Sequence, residues 1–298
     1  MQTLNGLRTV TIFGGTGFLG RGIVRHLLAR DFRVRVVTRH TEPSSSGKLE
    51  TTRGDVNDET SINKAVSGAF AVVNTVSLYV EQESNTFQSV HVEAASRLAR
   101  CSRAMEVGRL VHVSGIGANP DSSSSYICSR GAGERAVRAA FPQAVIIRPS
   151  VMFGPDDAFL MPLVRLVRRL PIFPLFGAGQ TRLQPAYVED VAEAVTRILD
   201  TPTPAPIYEL GGPRIYRYRE LVQTIAQQLG TRASLMPIPF WAWKVVALAT
   251  EDLPRAPLTR NQVELMQLDN VASPQTPGFG ELGIAPTGIE PVLASASP

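Results

Sequence analysis

Gly14, Gly17 and Gly20 follow one another at three-residue intervals, after a β-branched run over residues 9–13 and before an apolar helix pattern. That order suits a diphosphate. Gly14 makes the tight turn out of the strand, Gly17 lets the backbone approach a pyrophosphate, and Gly20 lets the helix lie close to the sheet. The helix N-terminus then presents N–H groups and a partial positive charge to the phosphates. Gly14, Thr16, Gly17, Phe18, Leu19 and Gly20 are therefore read as a dinucleotide loop. The end of the next strand selects the cofactor. An acidic residue there would bind the adenosine ribose hydroxyls of NAD(H). The chain instead has Arg39, whose guanidinium suits a 2′-phosphate through paired, charge-assisted bonds. NADP(H) is favoured over NAD(H) on this ground, against a plain solvated arginine. Asp55 stands where a loop carboxylate accepts a bond from the adenine amino group, or where an Asp simply forms a turn. Asn74 closes a strand beside the expected path of the dinucleotide.

The elements that carry these residues alternate. Strand patterns cover residues 9–13, 33–37, 49–53, 71–76, 109–113 and 144–148, and helix patterns cover 18–30, 59–67, 84–105 and 126–140. This succession predicts an α/β fold, a Rossmann-type doubly wound parallel sheet with helices on both faces and a small C-terminal lobe. Right-handed crossovers put the loops after the strands on one edge, where ligands bind. Beyond residue 150 the pattern loosens. Pro162, Pro171 and Pro174 bracket a short basic helix, helices follow over 188–199 and 218–229, and a late strand over 207–210 ends at Gly211-Gly212-Pro213. The expected division is a dinucleotide-binding domain over 1–231, with a lobe insertion over about 155–185, and a C-terminal lobe and tail over 232–298. The final stretch, rich in Pro, Gly, Ser and Ala, reads as a poorly ordered tail.

The chain has 298 residues, 44% hydrophobic and 19% charged, a globular balance rather than that of a disordered chain. Its net charge of +4 is mostly dispersed, which argues against nucleic acid as a partner. Cys101 and Cys128 form no C-x-x-C pair. That argues against a disulfide scaffold or a zinc site and fits a reducing compartment. Residues 1–8 lack an apolar signal core, and no apolar run reaches about 18 residues. A cytoplasmic chain that does not span a membrane is expected, with peripheral contact at a membrane's inner face left open.

Over roughly residues 8–230 the chain resembles the short-chain dehydrogenase/reductase superfamily, in its extended or atypical branch. The likeness rests on Gly14-Gly15-Thr16-Gly17-Phe18-Leu19-Gly20, Gly54-Asp55-Val56, Val111-His112-Val113-Ser114, Tyr126 in a Y-x-x-x-basic arrangement, Ile147-Arg148-Pro149-Ser150 and Val188-Glu189-Asp190-Val191-Ala192, in the right order. The resemblance implies that Tyr126 is an acid/base. It also implies that a cation four residues on shares its helix face and bonds the nicotinamide ribose, and that a serine hydroxyl holds the substrate oxygen. Val56, Tyr126, Arg130 and Pro149 join the cofactor-binding set on the same ground. The chain departs from the pattern at three points. Arg130 stands where the family has lysine, still cationic but bulkier and bidentate. The serine position falls on Gly115, with Ser114 just before it, and His91 replaces an asparagine of the long helix. Tyr126, Arg130 and Ser114 are thus the candidate catalytic residues. The alternative for Tyr126 is a buried ring whose hydroxyl finds one partner.

More narrowly, the chain is similar to the branch that contains the nucleotide-binding accessory subunit of respiratory complex I and its bacterial relatives. Residues 112–118, 148–155, 170–177, 184–192 and 282–287 carry this likeness. It implies a tightly held NADPH and a structural or assembly role beside a ubiquinone-linked membrane enzyme, with complex I subunits or quinone as partners. The competing reading is an active NADPH-dependent reductase, epimerase or dehydratase using Tyr126 on a small or prenylated carbonyl substrate. A redox-sensing regulator is the third. Two stretches bear on partners. Arg165, Arg168 and Arg169, interleaved with Leu163, Leu166 and Leu170, make basic and apolar stripes. These suit an anionic membrane surface, an acidic partner or an ordinary solvated face. Residues 240–249 are the most apolar window, too short to span a bilayer; Trp241 and Trp243 there sit at a lipid interface, line an apolar pocket or fill the lobe's core.

Overall fold

The computed structural model describes residues 6–40, 43–81, 85–250 and 258–295. In chain order the elements are β1 (Thr9–Phe13), α1 (Phe18–Ala29), β2 (Arg33–Thr38), β3 (Ser44–Ser46), β4 (Leu49–Arg53), α2 (Glu59–Val66) and β5 (Ala71–Asn74). A π-helical segment, Gln88–Ala94, then runs into α3 (Ala95–Ala104), followed by β6 (Arg109–Val113), α4 (Ser125–Ala140), β7 (Val145–Pro149), β8 (Met152–Phe153), α5 (Leu160–Arg169) and β9 (Ile172–Phe176). The remainder is β10 (Arg182–Leu183), β11 (Ala186–Tyr187), α6 (Val188–Asp200), β12 (Ile207–Leu210), β13 (Tyr216–Arg217), α7 (Tyr218–Gln228), β14 (Ser234–Ile238), α8 (Phe240–Thr250), α9 (Arg260–Leu265) and α10 (Ile289–Ser295).

Two compact units alternate along the chain. The first takes the described residues up to 149 together with 188–210 and 274–284; the second takes 150–187, the described part of 211–273 and the described residues from 285 onward. Residues 211–230 thus belong to the second unit and 274–284 to the first, a different partition from the sequence division near 231.

The first unit is built on an eight-stranded sheet in the order β12-β7-β6-β5-β1-β2-β4-β3, parallel throughout except for β3. Its central strands are apolar runs because both faces are covered: Val10, Ile12 and Phe13 of β1 and Ala71, Val72 and Val73 of β5 are all buried. On one face α2, α3 and α4 contribute Ile62, Val66, Leu98 and Val137 to a core that also holds Phe13, Val72, Leu110 and Ile146. α1 packs closely on α6, where a Cβ on Gly22 would sit 3.0 Å from that of Ala192. The chain goes from β1 outward to β2 and β4, then returns to β5 on the other side of β1. The carboxyl ends of β1 and β5 therefore flank the switch point of the sheet, where open α/β sheets bind ligands.

The second unit has its own core, including Phe153, Leu160, Leu163, Phe173, Leu175 and Leu221. Three two-stranded ribbons serve it: β8 with β11, β10 with β13 and β9 with β14. Two expectations are corrected. The helix read over 84–105 has its first residue outside the described set; residues 85 and 86 are not helical, and Gln88–Ala94 is π-helical before α3. The presumed loose tail is packed. Phe279, Leu282 and Ile284 are buried in the first unit, and Ile289 and Leu293 enter the core of the second. No described helix is long and apolar enough to cross a membrane.

Candidate dinucleotide and catalytic site

β1 delivers the chain into Gly14 at φ +83°, a region that side chains disfavour. The Gly17 N–H donates to the Gly14 carbonyl at 3.0 Å and closes the turn. A Cβ on Gly20 would lie 2.1 Å from that same oxygen, so α1 can begin against the turn only because Gly20 has none. On Gly17 a Cβ would meet only the Gly14 oxygen, at 3.2 Å. No side chain caps α1 and no acid stands in its first turn, which leaves the first N–H groups without intrahelical acceptors. Thr16, Phe18 and Leu19 complete this rim. It is a cradle of main-chain donors open to an anion, and it fits a pyrophosphate. Thr75, just past β5, ties the neighbouring strand end to it by donating both N–H and Oγ–H to the Phe13 carbonyl, at 2.9 and 3.0 Å.

Arg39 follows β2 in an exposed position with no ion-pair partner among the described residues. Arg53, in register with Thr38 across β2 and β4, is a second exposed cation at this edge. The sequence reading passed over it because only strand pairing puts it there. Asp55 acts as a turn former: its Oδ1 accepts from the Asn57 N–H at 2.9 Å. The Val56 carbonyl accepts from Arg97 at 3.1 Å. Asn74 is buried, accepting from the Val76 N–H at 3.0 Å and donating from Nδ2 to Nδ1 of His112 at 3.1 Å. His112 is a neutral acceptor there, its pKa pushed down to about 3 by burial and by the charge of Arg130.

α4 presents Tyr126 and Arg130 one turn apart on one face. The Arg130 guanidinium donates to the Tyr126 hydroxyl at 2.9 Å, to Ser77 Oγ at 2.6 Å and to the Val113 carbonyl at 3.3 Å. Both side chains are buried, and the Arg130 Nε–H has no hydrogen-bond partner among the described residues. Burial opposes the charge on Arg130, but the Tyr126 and Tyr79 phenols and Glu134 outweigh it and hold its pKa above the usual value. Aromatic rings enclose Tyr126. Tyr79 stacks on it at 5.9 Å between centroids, and Phe87 and His91 meet it edge-on at 5.5 and 5.6 Å.

His91 is locked as a neutral ring. The Leu78 N–H donates to Nε2 at 3.1 Å, so Nε2 carries no proton. Ser129 donates to the Tyr126 carbonyl at 2.9 Å, so its oxygen accepts from Nδ1–H of His91, also at 2.9 Å. Burial, then the charge of Arg130, push His91 down to about 3. The π-helical turn that carries His91 presses on α4, where a Cβ on Gly133 would be 2.1 Å from the His91 carbonyl. Such turns recur at functional sites, and glycine inside a helix, otherwise unfavourable, is what admits this one. Ser77, Tyr79, Phe87, Ser129 and Gly133 were not singled out from sequence; their spacing carries no motif, and only the folded contacts group them.

Ser114 is buried beyond β6. Its N–H donates to the Ile147 carbonyl at 2.7 Å, and its hydroxyl has no hydrogen-bond partner among the described residues. The Pro149 carbonyl at the end of β7 accepts from the Ile116 N–H at 3.1 Å. The serine run before α4 is an ordered helix start: Ser122 Oγ accepts from the Ser124 N–H at 3.2 Å, and Ser124 is buried. A bidentate pair between Arg148 and Glu134, at 2.9 and 2.7 Å, with a further bond to Glu209 at 3.1 Å, fastens α4 to β7 and β12. The arrangement can hold a dinucleotide phosphate on main-chain donors and place a phenol beside a fixed cation.

Residues 10–211 match the model of the NAD dependent epimerase/dehydratase family. The chain is 32% identical over 291 residues to the mouse protein "NADH dehydrogenase (ubiquinone) 1 alpha subcomplex subunit 9, mitochondrial", covering 94% of this chain and 77% of that one. It is 31% identical over 235 residues to a ceramide reductase of Caulobacter vibrioides, covering 77% of this chain and 73% of the relative. A nucleoside-diphosphate-sugar epimerase of Staphylococcus aureus has the same fold, with a TM-score of 0.75 at 17% identity over 96% of this chain and 99% of that one.

Proposed function

This chain belongs to the NAD dependent epimerase/dehydratase family as an atypical short-chain dehydrogenase/reductase-like protein, and from that premise we propose that it holds a nicotinamide dinucleotide with little or no turnover. The nucleotide is NADP(H) in preference to NAD(H), selected by Arg39. The role is structural or assembly-related, linked to respiratory NADH:ubiquinone oxidoreductase or to ubiquinone metabolism; the name of the mouse relative supports that link. Gly14, Thr16, Gly17, Phe18, Leu19 and Gly20 hold the diphosphate, and Val56, Asn74, Tyr126, Arg130 and Pro149 line the path beyond. Asp55 keeps a place in this set through its loop, its Oδ1 being taken by the turn.

One observation carries the low-turnover reading. The guanidinium of Arg130 is spread over Tyr126, Ser77 and the Val113 carbonyl. A lysine ammonium on a flexible stem can serve a phenol and a ribose together, whereas a planar fork bound at three protein acceptors is held in place. When bound, the nicotinamide supplies hydride chemistry; the chain's part is to position it and to exclude water. The second reading, an active NADPH-dependent reductase, epimerase or dehydratase, is favoured by the Tyr126 hydroxyl beside a cation and by the unpartnered Ser114 hydroxyl. In it Tyr126 gives or takes the proton at the substrate oxygen and Ser114 holds that oxygen. The test is purification through gel filtration, identification of the co-eluting nucleotide, and assay of NADPH oxidation against quinones and small and prenylated carbonyls. Retained NADPH without oxidation supports the first reading. Oxidation abolished by Tyr126→Phe supports the second.

A further inference from the structure

Side chains alternate across a strand, and contacts fix which way those of β2 point. Arg35 donates to the Ala65 and Ser67 carbonyls at the end of α2, at 2.8 and 3.0 Å, and Val37 joins the core beneath α2 and α3. Val36 and Thr38 therefore face the other way, toward the glycine loop, where a Cβ on Gly15 would lie 2.9 Å from Cγ1 of Val36. β4 runs parallel to β2, with Thr51 opposite Val36 and Arg53 opposite Thr38. Arg53 thus leaves β4 on the face that carries the glycine loop. Gly54, one residue on, turns to the opposite face, where a Cβ would be 2.8 Å from Cγ1 of Val37. The Gly54 N–H donates to the Thr38 carbonyl at 3.0 Å, so the ladder holds to its end. Arg39 and Arg53 stand at neighbouring strand ends, one residue step out of register, and both are exposed.

Neither guanidinium has an ion-pair partner among the described residues. Glu42 lies outside the described residues. The other acids of residues 31–58 are engaged. Asp31 pairs with Lys48, and Glu50 with Arg35 at 3.2 Å. Asp55 accepts from the Asn57 N–H, and Asp58 caps α2 by accepting from the N–H groups of Thr60 and Ser61. Two like charges side by side on a sheet repel, and an anion of higher charge set between them answers both. A phosphate monoester has three terminal oxygens and about −1.5 to −2 charges at neutral pH. One guanidinium fork engages two of those oxygens and about one of the charges. A single arginine therefore leaves an oxygen and much of the second charge to water.

We propose that Arg53 is a second specificity-determining residue, closing with Arg39 on the 2′-phosphate of NADP(H). The inference rests on the NADP(H) reading and adds to it a residue from the next strand. The test is calorimetry of the full chain with NADPH and NADH, repeated with adenosine 2′,5′-bisphosphate and adenosine 5′-monophosphate, which lack the nicotinamide. Arg53→Gln is expected to weaken NADPH at least about tenfold and to leave NADH within about threefold, the NADH value being the check on folding. Arg53→Lys keeps the charge but not the fork, so its NADPH affinity should fall between those of the parent and Arg53→Gln. Arg39→Gln with Arg53→Gln should bind the two dinucleotides alike, within about threefold. The two adenosine phosphates should repeat the pattern, and the parent's preference for the 2′-phosphate should shrink with added salt. A parent whose preference for NADPH is lost in Arg39→Gln but kept in Arg53→Gln overturns this inference and leaves the selection by Arg39 standing. A folded parent that binds NADPH and NADH equally overturns both. Equal losses of NADPH and NADH in Arg53→Gln would make Arg53 a structural residue of the strand end and also overturn the inference.

Discussion

The glycine loop and the Tyr126 cluster belong to one unit and are built in opposite ways. The loop keeps its donors open: α1 has no side-chain cap and no acid in its first turn. The cluster closes its polar groups on each other. Arg130 bonds Tyr126, Ser77 and Val113, and His91 bonds Leu78 and Ser129, inside a ring of aromatics. An open cradle suits binding. A closed, buried cluster suits rigidity and resists the small movements of a proton relay. A chain with both can hold a nucleotide firmly and do little with it.

The contrast can be broken at several points, from the largest expected effect down. Acid attacks the closed cluster first. His91 and His112 are held neutral with pKa values of about 3, against about 6.5 unfolded. As pH falls, the unfolded chain takes up these protons while the folded chain does not. The stability they allow is complete above about 6.5 and is lost toward about 3, at roughly 1.4 kcal/mol per pH unit for each histidine. Urea midpoints measured from pH 7 to 4 should fall accordingly, and His91→Asn should flatten the slope. A flat profile in the parent chain would mean that the cluster is not closed.

Next comes Gly20→Val. Its Cβ cannot occupy a point 2.1 Å from the Gly14 oxygen, so the loop must shift, at a cost of about 3 kcal/mol. Calorimetry should show about a hundredfold loss of dinucleotide affinity. Arg39→Glu is smaller and selective, weakening NADPH by about tenfold or more and leaving NADH within about threefold. Equal losses would remove the basis for preferring NADP(H). Smallest is Tyr126→Phe, which deletes the buried hydroxyl's bonds to Arg130 and Tyr79, worth about 1 kcal/mol of stability each, and should leave dinucleotide affinity within about threefold. A large loss of affinity there would mean that the two regions are not separable.

What could be read from sequence was local. The glycine intervals, the β-branched runs on either side and the apolar helix that follows are set by backbone geometry within a few residues, and the structure keeps their order. The Tyr126–Arg130 pair was legible because four residues make one helix turn. Arg130's other partners were not, since Ser77 lies in the loop after β5 and Val113 ends β6, and only the sheet order brings them near. The π-helical turn at His91 leaves no trace in composition, because widening a turn demands space and not residue types; Gly133, its counterpart, looked like any helix glycine. The tail was misjudged for the same reason. Its prolines and glycines suggested disorder, while Phe279, Leu282, Ile284, Ile289 and Leu293 found cores assembled from distant chain.

The central claim is best tested by titrating the purified chain with NADPH in a calorimeter and then following the bound nucleotide's absorbance against quinones and carbonyls. One NADPH per chain, held through gel filtration and left unoxidised, is the expected result. No heat from a demonstrably folded chain with either nicotinamide dinucleotide, or steady oxidation that Tyr126→Phe abolishes, would contradict it.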